Sequence, residues 1–420
     1  MEYNIDEINE KANYCLNCKV KPCHKGCPLG NNIPDFIKCV KSGMYEDAYN
    51  VLLETTVLQS ICGRICPHEK QCQGSCVRGI KSTPVSIGDL EAFVGDIAIK
   101  NNYKIKKTDI NNGKKVAIIG GGPAGLTCAA FLAKSGFDVT IYEKHSKLGG
   151  LLRHGIPEFR LSKNLLDNAI QKILDLDINV ICNKELGKDY NLNKLLQMYD
   201  AIFLSFGANI SSKMNIPGEN LKGVFGGNEL IEHNLHPNYS GKNVVVIGGG
   251  NVAMDVARTV KHMGCSDVTI VYRRAEEQMP AERKEIEDAK LEGINFMFQT
   301  NVIKINGNAY GSVNSIECVK TELVQKEGEL RAIPINIENS NFSFETDYVM
   351  MAVGSHTESA LVSSLGIELD KKGYIKTDDN FMTSIKGVFA GGDLIGTKST
   401  VAWAARNGRD VAESIQKYLS

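Results

Sequence analysis

The strongest constraint on this chain is an order of elements that occurs twice. KVAIIGGGPAGLTCAAFLAKSGFDVTIYEK, from residue 115, reads as a β-branched run, a glycine turn, a small-residue helix and a second β-run. KNVVVIGGGNVAMDVARTVKHMGCSDVTIVYRR, from residue 242, repeats it. A strand, helix and strand joined in that way form a βαβ unit, and a duplicated unit predicts two parallel sheets flanked by helices.

Gly120, Gly122 and Gly125 fit G-x-G-x-x-G directly after the first strand. The first glycine permits a tight turn, and the second lets the backbone approach a pyrophosphate. The third lets helix and strand pack closely, and the helix N-terminus faces the phosphate charge. Pro123 and Ala124 lie within the loop, and Glu143 follows the second strand, eighteen residues past Gly125. An acid there accepts hydrogen bonds from an adenosine ribose, which separates this pattern from a glycine-rich turn in an unrelated α/β protein.

The second fingerprint is G-x-G-x-x-A, with Gly248, Gly250, Asn251 and Ala253, and Arg273 and Arg274 stand where the first unit has its acid. Arginine pairs with a 2′-phosphate through charge-assisted hydrogen bonds, so this site is expected to prefer NADPH over NADH. The bland alternative is a solvated basic turn. Two dinucleotide sites in one chain suggest a flavoprotein with FAD at one and nicotinamide at the other. GVFAGGDL (387–394) supports this, because an apolar strand ending at Gly392 and Asp393 before a helix suits the ribityl-pyrophosphate region. Gly354 is a further candidate contact.

The remaining constraint is cysteine placement. Nine of the thirteen fall in the first 76 residues, with Cys39 between two runs. The runs are C-x₂-C-x₄-C-x₃-C-P (Cys15, Cys18, Cys23, Cys27) and C-x₃-C-x₅-C-x₃-C (Cys62, Cys66, Cys72, Cys76). The first is a loosened form of the bacterial ferredoxin run, in which the cysteine before proline ligates the other cluster. Eight cysteines in two runs therefore suit two [4Fe–4S] clusters with crossed ligation, and by spacing alone Cys62 is the eighth ligand. His24 and His68 keep a zinc site open as the rival. A flavin nearby favours iron, because clusters carry the single electrons a flavin can release and zinc cannot. Cys39, Cys128, Cys182, Cys265 and Cys318 are read as packed side chains.

Apolar residues make up 43% of the 420, charged residues 23%, and the formal charge is −1. That balance gives no electrostatic footprint for nucleic acid or an anionic membrane, and no apolar run approaches a membrane span. The start, MEYNIDEINE, lacks the features of a signal peptide, so the expected compartment is the cytoplasm, where thiols stay reduced. Residues 1 to about 105 read as helical, with helix-compatible stretches such as IPDFIKCVKSGMYEDAYNVLLETT, and KNNYKIKKTDINNGKK reads as a linker.

On the cysteine-rich start, GGPAGL, YEKHSKLGGLLRHGIPEFRL, GGGNVAMD, VYRRAEEQMPA and FAGGD, essentially the whole chain resembles the pyridine nucleotide:disulfide oxidoreductase superfamily. Within it the resemblance is to the glutamate synthase small (β) subunit, the electron-entry half of dihydropyrimidine dehydrogenase and the NADPH-binding subunit of bifurcating transhydrogenase. One departure is FLSFGA (203–208), where relatives carry an Ala-Thr-Gly-like turn.

The resemblance implies two Rossmann-like domains preceded by a helical iron–sulfur domain. Residues 1–105 would hold two [4Fe–4S] clusters, 113–235 and 355–420 the FAD domain, and 236–354 an inserted NADPH domain. It implies FAD contacts from Glu143 through Leu151, among them Lys144 and Gly150, and from Arg160. It also assigns Cys15, Cys18, Cys23 and Cys76 to one cluster and Cys27, Cys66 and Cys72 to the other. The eighth ligand falls on Glu91, with Cys62 a nearby thiol, against the spacing.

The function expected is electron transfer between NADPH and a second redox subunit or ferredoxin-like acceptor, in either direction. Hydride transfer requires no general acid or base, so no catalytic side chain is named. A thioredoxin-reductase-type enzyme would need a C-x-x-C beside the flavin or in the NADPH domain, and none occurs after residue 76. A redox-silent module binding zinc and nucleotide is the non-enzymatic alternative.

Overall fold

The computed structural model describes residues 3–325 and 332–420. They form two compact units. The first comprises Met1–Arg153, Glu158–Ala208 and Thr357–Ser420, and the second His154–Pro157 and Asn209–His356.

The first unit opens with helices alone, and the first strand among the described residues is Lys115–Ile119. Asn4 caps the helix Ile5–Asn13 by accepting from the amides of Asp6 and Glu7. The stretch expected to run as helix from Ile33 is divided into Ile33–Lys41 and Tyr45–Leu53. Gly43 adopts φ +70° between them, a conformation that ends the first helix. The helix Ile87–Lys100 runs through the middle, burying Leu90, Phe93 and Val94. Apart from Lys100, which ends that helix, and Lys115, which opens the first strand, the expected linker carries neither helix nor strand, yet it is tied down along its length. Lys104 pairs with Asp175, Lys107 with Asp177, and the Thr108 amide donates to the Lys134 carbonyl.

The sheet of this unit is all-parallel, in the order Val388–Ala390, Ala201–Leu204, Lys115–Ile119, Asp138–Tyr142, Asn179–Ile181. Its central strands are continuous apolar runs because helices cover both faces. One cover is the helix Pro123–Lys134, with proline at its first turn. Against it lies the helix Val401–Leu419, so closely that a Cβ on Gly408 would sit 2.1 Å from the Ala124 carbonyl oxygen.

The second unit repeats the plan with the parallel order Val224–Gly226, Tyr348–Met351, Asn243–Ile247, Asp267–Val271, Asn295–Met297. Antiparallel strands Thr300–Gly307, Val313–Val324, Ile333–Asn336 and Phe342–Glu345 are its second layer. The boundary expected at residue 236 therefore lies inside this unit, which takes in 209–235. The reason is that Val224–Gly226 pairs with Tyr348–Met351 and supplies an edge strand. The first unit resumes at Thr357, and the helical region 1–105 belongs to that same unit.

Candidate redox site: two glycine loops and two cysteine sets

In a parallel sheet, ligands bind beyond the carboxyl ends of the strands. In the first unit that edge gathers the loop after Ile119, Glu143 after Tyr142, Ser205 after Leu204, and Gly391–Asp393 after Ala390. Gly120 has φ +108°, and a Cβ on Gly125 would lie 2.0 Å from the Gly120 carbonyl oxygen, so helix and turn touch backbone to backbone. By contrast, nothing lies closer than 4.0 Å to a Cβ on Gly122, which leaves that face open to a ligand. Glu143 is buried, and its carboxylate accepts from the amides of Gly121 at 2.8 Å and His145 at 2.9 Å. Lys144 is exposed, and Arg160 is half-buried.

Gly150, at φ +51°, comes so near the loop that its Cβ would be 2.9 Å from the Gly122 Cα; Leu151 follows it at the start of a short helix. The departure at FLSFGA is accommodated by Ser205, whose hydroxyl donates to the carbonyls of Ile119 (3.1 Å) and Gly120 (3.0 Å). The Gly392 amide donates to Asn407 Oδ1 at 3.2 Å. Burial pushes the Asp393 carboxyl up to about 6, although a hydrogen bond with Ser399 pulls it back.

The second glycine loop has the same construction. Gly248 has φ +148°, and its Cβ would meet the Ala352 carbonyl oxygen at 2.3 Å. Asn251 opens the helix Asn251–His262 and bonds reciprocally with Glu282, which donates from its amide and accepts at Oε1. Ala253 is fully buried against the sheet, and Gly354, at φ +131°, leaves the strand Tyr348–Met351. Arg273 is exposed, whereas Arg274 is half-buried with its Nε donating to the Ala332 carbonyl at 3.1 Å.

The cysteines gather in two sets. Cys15, Cys18, Cys23 and Cys76 line one cavity, so the last cysteine of the second run joins three from the first. No histidine lines it. Burial pushes Cys23 up to about 11, and the charges of Cys15 and Cys76 add to the effect. In the second set, burial and then the charge of Glu91 push Cys27 up to about 12. A hydrogen bond with Cys62 raises Cys66, helped by burial and by Cys62, Glu91 and Cys72. Burial also raises Cys72, with Cys27 and Glu91 contributing. Burial pushes Glu91 itself up to about 8, against the hydrogen bond from Asn31.

Thiols and a carboxylate that resist ionisation together fit a cationic cluster, which stabilises all of them as anions and favours sulfur donors. Among the described residues no three His, Cys, Asp or Glu side chains already point at one metal position. The fit is therefore one of donor type and placement. His68 is half-buried and pushed down to about 4 by desolvation, and His24 is exposed.

Sequence reasoning missed the residues that dock the second set on the sheet's outer helix. Arg406 Nη1 donates to the Pro28 carbonyl at 3.1 Å, and Arg409 Nη1 to the Leu29 carbonyl at 2.7 Å. Arg406 and Arg409 stand three residues apart on one helix face, a spacing visible in the sequence, but their partners are backbone atoms some 380 residues away.

A family model described as pyridine nucleotide-disulphide oxidoreductase matches residues 114–408. The chain belongs to that family. Residues 1–103 match a second model, described as dihydropyrimidine dehydrogenase domain II, 4Fe-4S cluster. The chain is 33% identical over 436 residues to the glutamate synthase [NADPH] small chain of Escherichia coli K12, covering 99% of this chain and 92% of the relative. It is 32% identical over 425 residues to the NAD-dependent dihydropyrimidine dehydrogenase subunit PreT of Escherichia coli O157:H7, covering 98% and 94%. Among solved structures, FprA of Mycobacterium tuberculosis in complex with NADPH superposes with a TM-score of 0.64 at 22% identity. That match covers 73% of this chain and 84% of FprA, and it shows the shared fold.

As a pyridine nucleotide-disulphide oxidoreductase with a 4Fe–4S domain, the chain is an electron-transferring enzyme. Its cofactors are FAD, a pyridine nucleotide and iron–sulfur clusters. Among the described residues no helix is long and apolar enough to cross a membrane.

Proposed function

We propose that the chain is the NADPH-oxidising subunit of a glutamate-synthase-type or related complex, working in the cytoplasm. FAD is assigned to the first sheet, with Gly120, Gly122, Pro123, Ala124, Gly125, Glu143, Lys144, Gly150, Leu151, Arg160, Gly392 and Asp393 around it. NADPH is assigned to the second, with Gly248, Gly250, Asn251, Ala253, Arg273, Arg274 and Gly354. The clusters fall to residues 1–105. When bound, FAD takes a hydride from NADPH and releases single electrons, which the clusters carry onward. The protein's own part is to hold phosphates at the two loops and to dock the cysteine sets.

One observation carries the reading. The second cysteine set and the proposed flavin fold lie in one compact unit, joined where Arg406 and Arg409 hold the turn after Cys27. Cys15, Cys18, Cys23 and Cys76 are assigned to one cluster, and Cys27, Cys66, Cys72 and Glu91 to the other. Cys62 is assigned as a neighbouring thiol, with Glu91, a buried carboxyl that bonds Asn31, as the fourth ligand.

The first set is assigned to electron exit toward a partner. Leu16 and Val77, which line its cavity, are exposed, as are Val20 and Ile80 close by in sequence. Lys19, Lys25 and Lys81 are exposed as well, with no Asp or Glu in residues 14–28 or 76–85. A surface of that kind suits an acidic redox subunit or ferredoxin-like carrier.

Anaerobically purified protein should carry about one FAD and about eight irons per chain. NADPH should bleach the flavin and then reduce the clusters. Zinc without acid-labile sulfide, or clusters that stay oxidised while the flavin is reduced, would overturn the proposal. The relative that is a dihydropyrimidine dehydrogenase subunit supports a second reading of the terminal acceptor, and identifying the co-purifying subunit distinguishes the two.

A further inference from the structure

Asn31 follows the turn after Cys27 and is used by none of the motifs above. It is 1% exposed. Its Nδ2 donates to Glu91 Oε1 at 3.1 Å, and its Oδ1 accepts from the Thr55 hydroxyl at 2.7 Å. On the ligand reading Glu91 is a carboxylate that only accepts, and the N–H end of the amide therefore faces it. Thr55 is held in turn, since its carbonyl accepts from Arg409 Nη1 at 3.3 Å, the same nitrogen that bonds the Leu29 carbonyl. A continuous relay thus runs from the helix Val401–Leu419 through Thr55 and Asn31 to the buried carboxylate.

We infer that Asn31 is a positioning residue for the second cluster, tuning it through Glu91. This rests on the reading of Glu91 as an iron ligand. With Oε1 engaged by Asn31, Oε2 is the oxygen left for iron. A hydrogen bond to the other oxygen of a ligating carboxylate draws electron density from the whole delocalised group, weakens it as a donor and stabilises the reduced cluster relative to the oxidised one. In a site this buried the effect is little screened by water. Loss of the donor therefore makes the cluster harder to reduce. The first cluster, whose ligands line a different cavity, has no part in the relay.

The test is a redox titration of the anaerobic full-length protein, followed by low-temperature electron paramagnetic resonance of both clusters. Asn31→Leu removes the donor while keeping the branching and the number of side-chain heavy atoms. Thr55→Val removes the hydroxyl that orients the amide at nearly constant shape. At the wild-type midpoint, Asn31→Leu should lower the reduced-to-oxidised ratio of the second cluster about tenfold, which is about 59 mV for one electron. Thr55→Val should shift it the same way by less, and the first cluster's midpoint should stay put in both. Where Asn31→Leu does not assemble the cluster, Thr55→Val decides on the same criterion.

Glu91→Ala separates the two levels of the argument. A second-cluster signal unchanged in Glu91→Ala sinks the ligand reading and the inference with it. A signal altered there, with an unchanged or raised midpoint in the Asn31 and Thr55 variants, overturns the inference alone.

Discussion

Arg273→Ala should weaken NADPH binding and leave NADH binding almost untouched. The Arg273 side chain is exposed, and its backbone is pinned by the Thr321 hydroxyl, which donates to the Arg273 carbonyl at 2.8 Å. The guanidinium can therefore meet a 2′-phosphate without giving up another partner. A charge-assisted hydrogen bond contributes about 1.5–3 kcal/mol, and about 1.4 kcal/mol is a factor of ten in affinity. Solvent screening at an exposed site puts the expected loss at the low end, about tenfold for NADPH.

Arg274→Ala should behave differently. Its Nε holds the Ala332 carbonyl, so its removal should also loosen the turn assigned to nucleotide binding, at about 1 kcal/mol and a several-fold loss for each nucleotide. The assay is flavin reduction in stopped flow, with NADPH and NADH titrated at two ionic strengths. NADPH affinity of the wild type should fall with salt, and that of Arg273→Ala much less. Equal losses for both nucleotides in Arg273→Ala, or none, would refute the reasoning and move the phosphate site elsewhere.

Gly125→Val should yield protein with clusters but little flavin, read from the flavin-to-protein absorbance ratio, because its Cβ would lie 2.0 Å from the Gly120 carbonyl oxygen; full flavin content would contradict the loop assignment. Arg258→Ala should destabilise the second unit by about 3–5 kcal/mol in denaturant unfolding. Arg258 bonds Glu285 at 2.6 Å and Glu292 at 2.7 Å, and both Arg258 and Glu285 side chains are only 9% exposed; a loss below about 1 kcal/mol would show the charges to be solvated. Asp393, raised by burial from 3.8 to about 6, binds its proton more tightly folded than unfolded. Its ionisation therefore costs FAD-free protein stability as pH rises from about 4 to about 6. Asp393→Asn should gain up to about 3 kcal/mol over wild type above that window and nothing below it, and a gap independent of pH would exclude Asp393 as the cause.

The two dinucleotide folds were legible in the sequence because their requirements are local. A glycine turn between an apolar strand and a small-residue helix needs only neighbouring residues to specify it, and both loops take that form, with Gly120 and Gly248 at positive φ. The cysteine runs were local in the same sense, and donor chemistry pointed to iron. Spacing alone, however, could not draw Cys76 into a cavity with Cys15, Cys18 and Cys23.

What only the tertiary structure decided are the contacts between segments distant in sequence. The second unit takes in residues 209–235 because a three-residue edge strand, Val224–Gly226, pairs with Tyr348–Met351. A strand that short carries almost no pattern of its own. The docking of the turn after Cys27 on Arg406 and Arg409 uses backbone carbonyls, which every residue possesses and no sequence motif marks. Asn31 reads as an ordinary polar residue beside a helix start. It becomes a partner of Glu91 only because the fold buries both side chains and leaves each little else to bond.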